Sequence, residues 1–401
     1  MQDRVFDTLP ASPFARLRDL LDDVTPRGEP VSFALGEPQH APPAFVLEAL
    51  QQNLDDYGRY PPIGGTERWQ AAVRGWLKRR FDVDHVVSEA TQILPLNGTR
   101  EGLFLAAQIA APKRAGLMAM PDPFYQIYAS AAVAAGATPF YLQATHANGF
   151  VPPLEALDDD VLSRLRALYL CNPANPQGAV ADRAYLAKAL ELAQRHNFIL
   201  MVDECYAEIY DPNRAPPPSI LQIMQDNNLP DAPVLAFHSL SKRSNLPGLR
   251  SGFVAGGAGV MRALSGLRQI AGPQCPLPAQ AAAALAWGDD AHVAENRRLY
   301  DEKFSLAEEI FGTAYAFERP PAGFFLWLNV GNGVAAAAHL WRHYGVRVLP
   351  GAYLSADETA PHAAPYIRVA LVAGMGQTKS ALQRLKTGLD DFATRAKGSA
   401  A

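Results

Sequence analysis

The sequence predicts an α/β protein, with a large domain on a mainly parallel sheet and a smaller α+β domain after it. Three observations carry this expectation. Short aliphatic and β-branched runs alternate with longer helical patterns through most of the chain, the signature of βα units. The strand candidates are near-continuous apolar runs, as expected for strands covered by helices on both faces. Beyond residue 288 the texture changes to a charged helical stretch followed by short extended runs.

Taken in order, residues 1–40 are rich in Pro and acid and read as a loop-like N-terminal arm that also contributes to the small domain. Residues 41–288 form the large domain. Its expected strands are QILPL (92–96), GLMAM (116–120), ALYLC (167–171), FILMV (198–202), VLAFH (234–238) and GFVAG (252–256). Between them, residues 183–197 place Leu186, Leu190 and Ala193 on one face at helical spacing. The alanine tracts near 129–137 and 279–286 read as buried helices. Residues 289–401 form the small domain: a charged helix over 289–312, extended runs at AYAFE, FFLWLN, VRVLP and YIRVAL, and helices near 333–344 and 376–394. The tail KGSAA reads as disordered.

Composition removes several classes of function. Of 401 residues, 49% are hydrophobic and 19% charged, a balance that supplies a large core and excludes general disorder. Lys plus Arg total 36 against 40 Asp plus Glu, giving a net charge of −4 and no basic footprint for nucleic acid. Cys171, Cys205 and Cys275 stand far apart without a C-x-x-C pair, which argues against a disulfide framework or a structural zinc and fits a reducing, cytoplasmic compartment. No run approaches about 18 uninterrupted apolar residues, so no membrane span is expected. The opening MQDRVFDTLP has two acids and no apolar core, unlike a secretory leader.

Several motifs fail when tested. There is no G-x-x-x-x-G-K-[ST], and the glycines of VAGGAGVM (254–261) do not make G-x-G-x-x-G. There is no H-E-x-x-H among the nine histidines, and no metal is expected; His196 and His238 read as structural. Ser239-Leu-Ser-Lys242 matches S-x-x-K and Lys386-Thr-Gly388 matches K-T-G, two marks of penicillin-recognising serine enzymes. The second lies in SALQRLKTGLDDF, where Leu382, Leu385, Leu389 and Phe392 repeat at helical spacing, and S-D-N is missing. That reading is rejected.

Four stretches occur in a telling order: NGTREGLF (97–104), CNPANPQG (171–178), VDECY (202–206) and HSLSKRSNLPGLRSG (238–252), flanked by LGEP (35–38) and YIRVAL (366–371). Together, with an Arg eight residues after the Lys, they resemble the class I and II aminotransferases of the type I pyridoxal-phosphate fold over nearly the whole chain. The resemblance implies a mainly parallel seven-stranded sheet, a homodimer, pyridoxal 5′-phosphate as cofactor, and amino acids and 2-oxo acids as small-molecule substrates. NPQG stands where NPTG is more usual, and YPPIGG departs from the common Y-P-x-x-G-x-x-x-L-R run.

The residue types suit that cofactor. It needs an amine to hold it as a Schiff base and then to act as base, and Lys242 follows an expected strand. The ring nitrogen needs a carboxylate to keep its proton, and Asp203 ends FILMV-Asp. The phosphate calls for backbone N–H groups at a helix start plus a cation. By resemblance, Gly98, Thr99 and Arg100 supply amides while Ser239, Ser241 and Arg250 complete the cup. Resemblance also assigns Asn175 and Tyr206 to the phenolate oxygen, Tyr125 to stacking on the ring, and Tyr60 to the phosphate of the neighbouring subunit. Arg368 would fork onto the substrate α-carboxylate, with Gly36 offering its backbone N–H.

Within the family, LGEPQHAPPAFVLEAL, PDPFYQIY, DDAHVAENRRLYDEKF and AGFFLWL, with the stretches above, look most like proteobacterial N-succinyldiaminopimelate aminotransferases. This implies amino transfer between N-succinyl-LL-2,6-diaminopimelate and 2-oxoglutarate in lysine synthesis. A glutamate-dependent enzyme for aromatic or acetylornithine-like substrates shares every cofactor residue and remains the alternative.

Overall fold

The computed structural model describes residues 11–111, 116–272 and 274–398. The opening MQDRVFDTLP and the last residues of the KGSAA tail lie outside the described residues. Seven strands form the large sheet: β1 (Ile93–Leu96), β2 (Leu117–Asp122), β3 (Thr138–Gln143), β4 (Leu165–Cys171), β5 (Ile199–Asp203), β6 (Val234–Ser239) and β7 (Gly252–Gly256). Their spatial order is β1-β7-β6-β5-β4-β2-β3. Only β7 runs antiparallel to its neighbours, pairing that way with both β1 and β6.

Burial explains the strand pattern. Along β6, Val234 and Ala236 join one apolar core while Leu235 and Phe237 join the other, the period-2 alternation of a sheet with two covered faces. Helices Glu67–Phe81, Arg183–His196 and Leu277–Gly288 contribute to the first core; Thr99–Ala110, Ile127–Ala134 and Ala258–Ala271 contribute to the second. The six strands expected from sequence are all present. The seventh strand that the resemblance implies is β3, which no apolar run marks: it is an edge strand, half-exposed, and Pro139 interrupts its pattern.

A second, antiparallel sheet holds β8 (Phe325–Asn329), β9 (Leu349–Pro350) and β10 (Tyr366–Ala370), in the order β9-β10-β8. Helices Ala291–Phe311, Gly333–Tyr344 and Met375–Gly398 pack around it, and Val31 and Phe33 enter the same core from the N-terminal side. Val31–Ser32 pairs in parallel with Val346–Arg347. AYAFE does not extend as a strand; it turns at Ala314–Ala316 with Tyr315 at φ +60°. Lys386, of the rejected K-T-G, lies on the last helix and pairs with Asp390 one turn on.

The N-terminal arm is not all loop. Pro13–Leu21 is a helix with Pro at its first turn, where a missing N–H costs nothing, and Leu17 and Leu21 meet Trp327 and Leu354 one helical turn apart.

The loop before helix Glu67–Phe81 is held by few atoms. Gly65 adopts φ +82°, and a Cβ there would stand 2.6 Å from the Trp69 ring. Gln70, itself buried, donates from Nε2 to the carbonyls of Gly64 (2.6 Å), Ala90 (3.1 Å) and Ile93 (2.9 Å), tying this loop to the start of β1. Gln70→Ala leaves three carbonyls without that donor and is expected to lower the unfolding free energy by about 1–3 kcal/mol. Equilibrium denaturation of the two proteins measures it; an unchanged midpoint would show that water takes the donor's place.

Candidate active site

A cavity of about 400 Å³ opens at the carboxyl ends of the parallel strands, where open α/β sheets place their ligands. Asp203 ends β5, Cys171 ends β4 and Ser239 ends β6, so adjacent strands deliver three side chains to one wall. Lys242 follows on the short helix Leu240–Arg243.

Asp203 is buried, and its carboxylate accepts from the Tyr128 hydroxyl (2.8 Å) and the Cys205 backbone N–H (3.2 Å). Burial raises its pKa, while those donors, together with the nearby His238, favour the charged form. Tyr128 is in turn stacked on Tyr169 with ring centroids 4.8 Å apart. Neighbouring Glu204 faces the other way, accepting from the Ile220 N–H (2.8 Å) and lying 3.1 Å from His238 Nε2. His238 is thus a buried structural histidine, packed on Trp76 and Phe253, as the sequence suggested.

The Lys242 amine donates to the Gly36 carbonyl and stands 5.5 Å from the centre of the Phe324 ring. Burial is the main reason its pKa falls from 10.5 to about 8, and the Arg368 charge adds to the fall. Arg368, buried at the centre of β10, donates to Asn175 Oδ1 (3.0 Å) and the Ala34 carbonyl (2.8 Å), with its guanidinium 4.5 Å above Phe325. Burial lowers its pKa to about 10. Because Oδ1 of Asn175 is engaged by Arg368, the amide group left to donate is Nδ2. Tyr206 also lines the cavity, its phenol pushed up by burial.

One rim of the cavity is built for an anion. Helix Thr99–Ala110 begins there behind Gly98, which sits at φ +80°, ψ 151° and gives the helix no side-chain cap. A Cβ on Gly98 would meet Arg250 Nη2 at 2.0 Å, so only glycine lets that guanidinium close over the turn. Arg250 is anchored on the carbonyls of Pro247 (2.8 Å) and Asn97 (3.3 Å). Ser239 Oγ accepts from the Ser241 N–H (3.1 Å), and both serines line the same wall. Arg100 turns its side chain onto the Tyr125 hydroxyl, Nε to oxygen 2.6 Å, which holds that ring beside the cavity.

The structure therefore gathers the expected residues into one place, with one exception. Tyr60 is 98% exposed and does not line the cavity of its own chain. Sequence reasoning missed Tyr128, three residues beyond Tyr125 and so one helical turn away, and it missed Phe14, Leu35 and Leu354, which wall the outer cavity. Nothing in the pattern around Phe14 or Leu354 distinguishes them from core residues. Among the described residues, no cluster of three or more His, Cys, Asp or Glu could hold a metal ion, and no helix is long and apolar enough to cross a membrane.

The model of the family "Aminotransferase class I and II" matches residues 29–385. Relatives include the LL-diaminopimelate aminotransferase of Dehalococcoides mccartyi, 31% identical over 94% of this chain and 96% of that one. The corresponding enzyme of Moorella thermoacetica is 29% identical, again over 94% and 96%. Among solved structures, an aminotransferase from Neisseria meningitidis superposes with a TM-score of 0.89 at 35% identity, covering 96% of this chain and 99% of that one. Aminotransferase AspB from Helicobacter pylori gives 0.89 at 33%, over 96% and 100%.

The residues present fit pyridoxal phosphate. A buried carboxylate held by two donors suits a protonated ring nitrogen, and an uncapped helix start under Arg250 suits a phosphate dianion. Two outcomes follow from this fit. Gly98→Ala forces a side chain into a backbone region that only glycine adopts freely, at about 1–3 kcal/mol, and displaces Arg250. Its affinity for the cofactor is expected to fall about tenfold or more, read by titrating apoprotein and following visible absorbance; an unchanged affinity would place the phosphate elsewhere. Since only the neutral amine captures an aldehyde, the capture rate should climb with pH and level off above about 8. A rate still climbing to the ordinary lysine range would show that Lys242 is solvated.

Proposed function

We propose that this chain, which belongs to the class I and II aminotransferases and uses pyridoxal 5′-phosphate, moves an amino group between N-succinyl-LL-2,6-diaminopimelate and 2-oxoglutarate. The observation that carries the donor class is the contrast between the two ends of the cavity. The inner end holds Arg368 close enough to Lys242 for its charge to lower the amine. The outer end is walled by Phe14 (38% exposed) and Leu35 (48% exposed), with Leu354 beside them. An α-carboxylate on Arg368 sets the reacting carbon toward Lys242, and the far end of the donor then lies along apolar side chains. The neutral amide of an acylated amine suits that wall, where a free ammonium would lose hydration, and the donor's distal carboxylates would extend past the part-exposed Phe14 and Leu35 to solvent.

When bound, the cofactor supplies the electron sink that makes the α-proton acidic. The chain's own groups do the rest. Lys242, once free, takes the proton from Cα and returns it at C4′; with a pKa near 8 it can do both close to neutral pH. Asp203 would face the protonated ring nitrogen, with Tyr128 and the Cys205 N–H aiming the carboxylate and favouring its charged form against burial. Asn175 Nδ2 and the Tyr206 hydroxyl would serve the phenolate oxygen, and Tyr125, fixed by Arg100, would lie against the ring.

The working unit in this reading is a cytoplasmic homodimer in which Tyr60 of one subunit reaches the phosphate of the other. Its support is a run of exposed apolar side chains, Leu47, Leu54 and Tyr57, on the stretch that carries Tyr60. A second reading, unblocked LL-diaminopimelate as donor, is favoured by the names of the relatives above.

Donor competition separates the readings. With 2-oxoglutarate as acceptor, N-succinyl-LL-diaminopimelate is expected to exceed phenylalanine and alanine in kcat/KM by about 10² or more, because neither shorter donor reaches along the outer apolar wall and even one methylene of lost contact costs about 10–200-fold. N-acetylornithine should fall between. Faster turnover of unblocked LL-diaminopimelate would favour the second reading, and faster phenylalanine would remove both.

A further inference from the structure

Beyond the residues that face the cavity, a buried relay grips Lys242 from behind. Asn296, on helix Ala291–Phe311, is 3% exposed, and its Nδ2 donates to the backbone carbonyls of Lys242 (3.1 Å) and Arg243 (3.2 Å). Two carbonyls can only accept, so the amide has one possible orientation and Oδ1 must face away. Oδ1 lies 3.0 Å from His40 Nδ1, which must therefore carry a hydrogen. That leaves His40 Nε2 as an acceptor, and Lys303 Nζ stands 2.6 Å from it while also donating to the Leu371 carbonyl (3.0 Å). Lys303 is 1% exposed and has no carboxylate among these contacts.

The direction of every bond is thus fixed: Lys303 to His40, His40 to Asn296, Asn296 to the two carbonyls. With Lys303 charged, His40 has to remain neutral, because a second N–H would point at the ammonium; burial and that charge both lower the His40 pKa, and burial brings Lys303 itself down to about 7. His40 lies four residues beyond Gly36, whose carbonyl receives the Lys242 amine. The short segment 36–40 accordingly holds Lys242 at its tip directly and at its backbone through Asn296.

We propose that Asn296 and His40 are positioning residues for Lys242, fixing where its amine stands while a proton passes between Cα and C4′. Misplacing a reacting group by about 1 Å costs on the order of 10²-fold in rate. The relay acts on the reacting lysine and not on substrate, so its loss falls on kcat. This rests on the assignment of Lys242 as the cofactor lysine and is independent of which donor is used.

The test uses full-length Asn296→Ala, His40→Phe and His40→Asn, the last keeping an amide N–H where Nδ1 stands. With the donor that unaltered protein turns over fastest, kcat of Asn296→Ala and His40→Phe is expected to fall about 10–100-fold with KM within about twofold. The α-deuterium isotope effect on kcat should grow as proton transfer becomes slower, and apoprotein should capture pyridoxal phosphate more slowly, read by absorbance. His40→Asn should recover most of both. Because His40 variants leave Asn296 in place, they keep the question open to measurement if Asn296→Ala folds poorly. An unchanged isotope effect with an unchanged capture rate, whatever the yield of folded protein, would overturn the relay. Borohydride fixation of the cofactor to a lysine other than Lys242 in unaltered protein would overturn the assignment beneath it.

Discussion

The segment from Val31 to His40 fastens the two sheets to each other, and the site depends on where it runs. Val31 pairs beside Val346, Phe33 donates to the Arg347 carbonyl (2.8 Å) and accepts from the Ala370 N–H (2.8 Å), and the Gln39 N–H reaches the Val372 carbonyl (3.2 Å). On its other side the Ala34 carbonyl holds Arg368 and the Gly36 carbonyl holds Lys242. One extended stretch thereby serves the guanidinium of the small sheet and the amine of the large one. Gly36 has little room to vary, since a Cβ there would stand 2.9 Å from the Phe325 ring.

Burying Lys242, Arg368 and Asp203 in one cavity would be costly if each stood alone. The structure offsets the cost locally. Arg368 rests on an amide, a carbonyl and an aromatic face; Asp203 takes two donors; Lys242 shares its charge with a carbonyl. What remains is expressed as altered acidity: the amine and guanidinium give up protons more readily, and the carboxyl holds its proton more tightly. Burial and function are linked here, because a fully hydrated lysine would hold its proton up to the ordinary value of 10.5 and offer far less neutral amine at neutral pH.

Most of the fold was legible because the inner strands of a doubly covered sheet are almost wholly apolar, and six of seven announced themselves that way. β3 escaped because an edge strand needs no such run. Helix Pro13–Leu21 escaped because its short apolar stripe is interrupted by charge, and its partners Trp327 and Leu354 are more than 300 residues away in sequence. In the site, residues tied to a local turn, such as Gly98 and Asn175, could be found from their motifs. Asn296, His40 and Tyr128 could not, since a hydrogen bond between side chains from distant elements leaves no spacing in the chain.

The division of the site between two sheets has a mechanical meaning. Asp203 and Ser239 end adjacent strands locked by a shared backbone ladder and Lys242 follows on the short helix after the second, whereas Arg368 comes from the other sheet and Phe14 from a terminal helix. Small slips between the sheets would alter the reach from guanidinium to amine while leaving the spacing of Asp203 and Ser239 on their shared ladder untouched. A lineage that retunes which acids it accepts by repacking the seam around Phe33 and Phe325 therefore leaves Asp203 and Ser239 in place but must keep the Gly36 carbonyl within reach of Lys242.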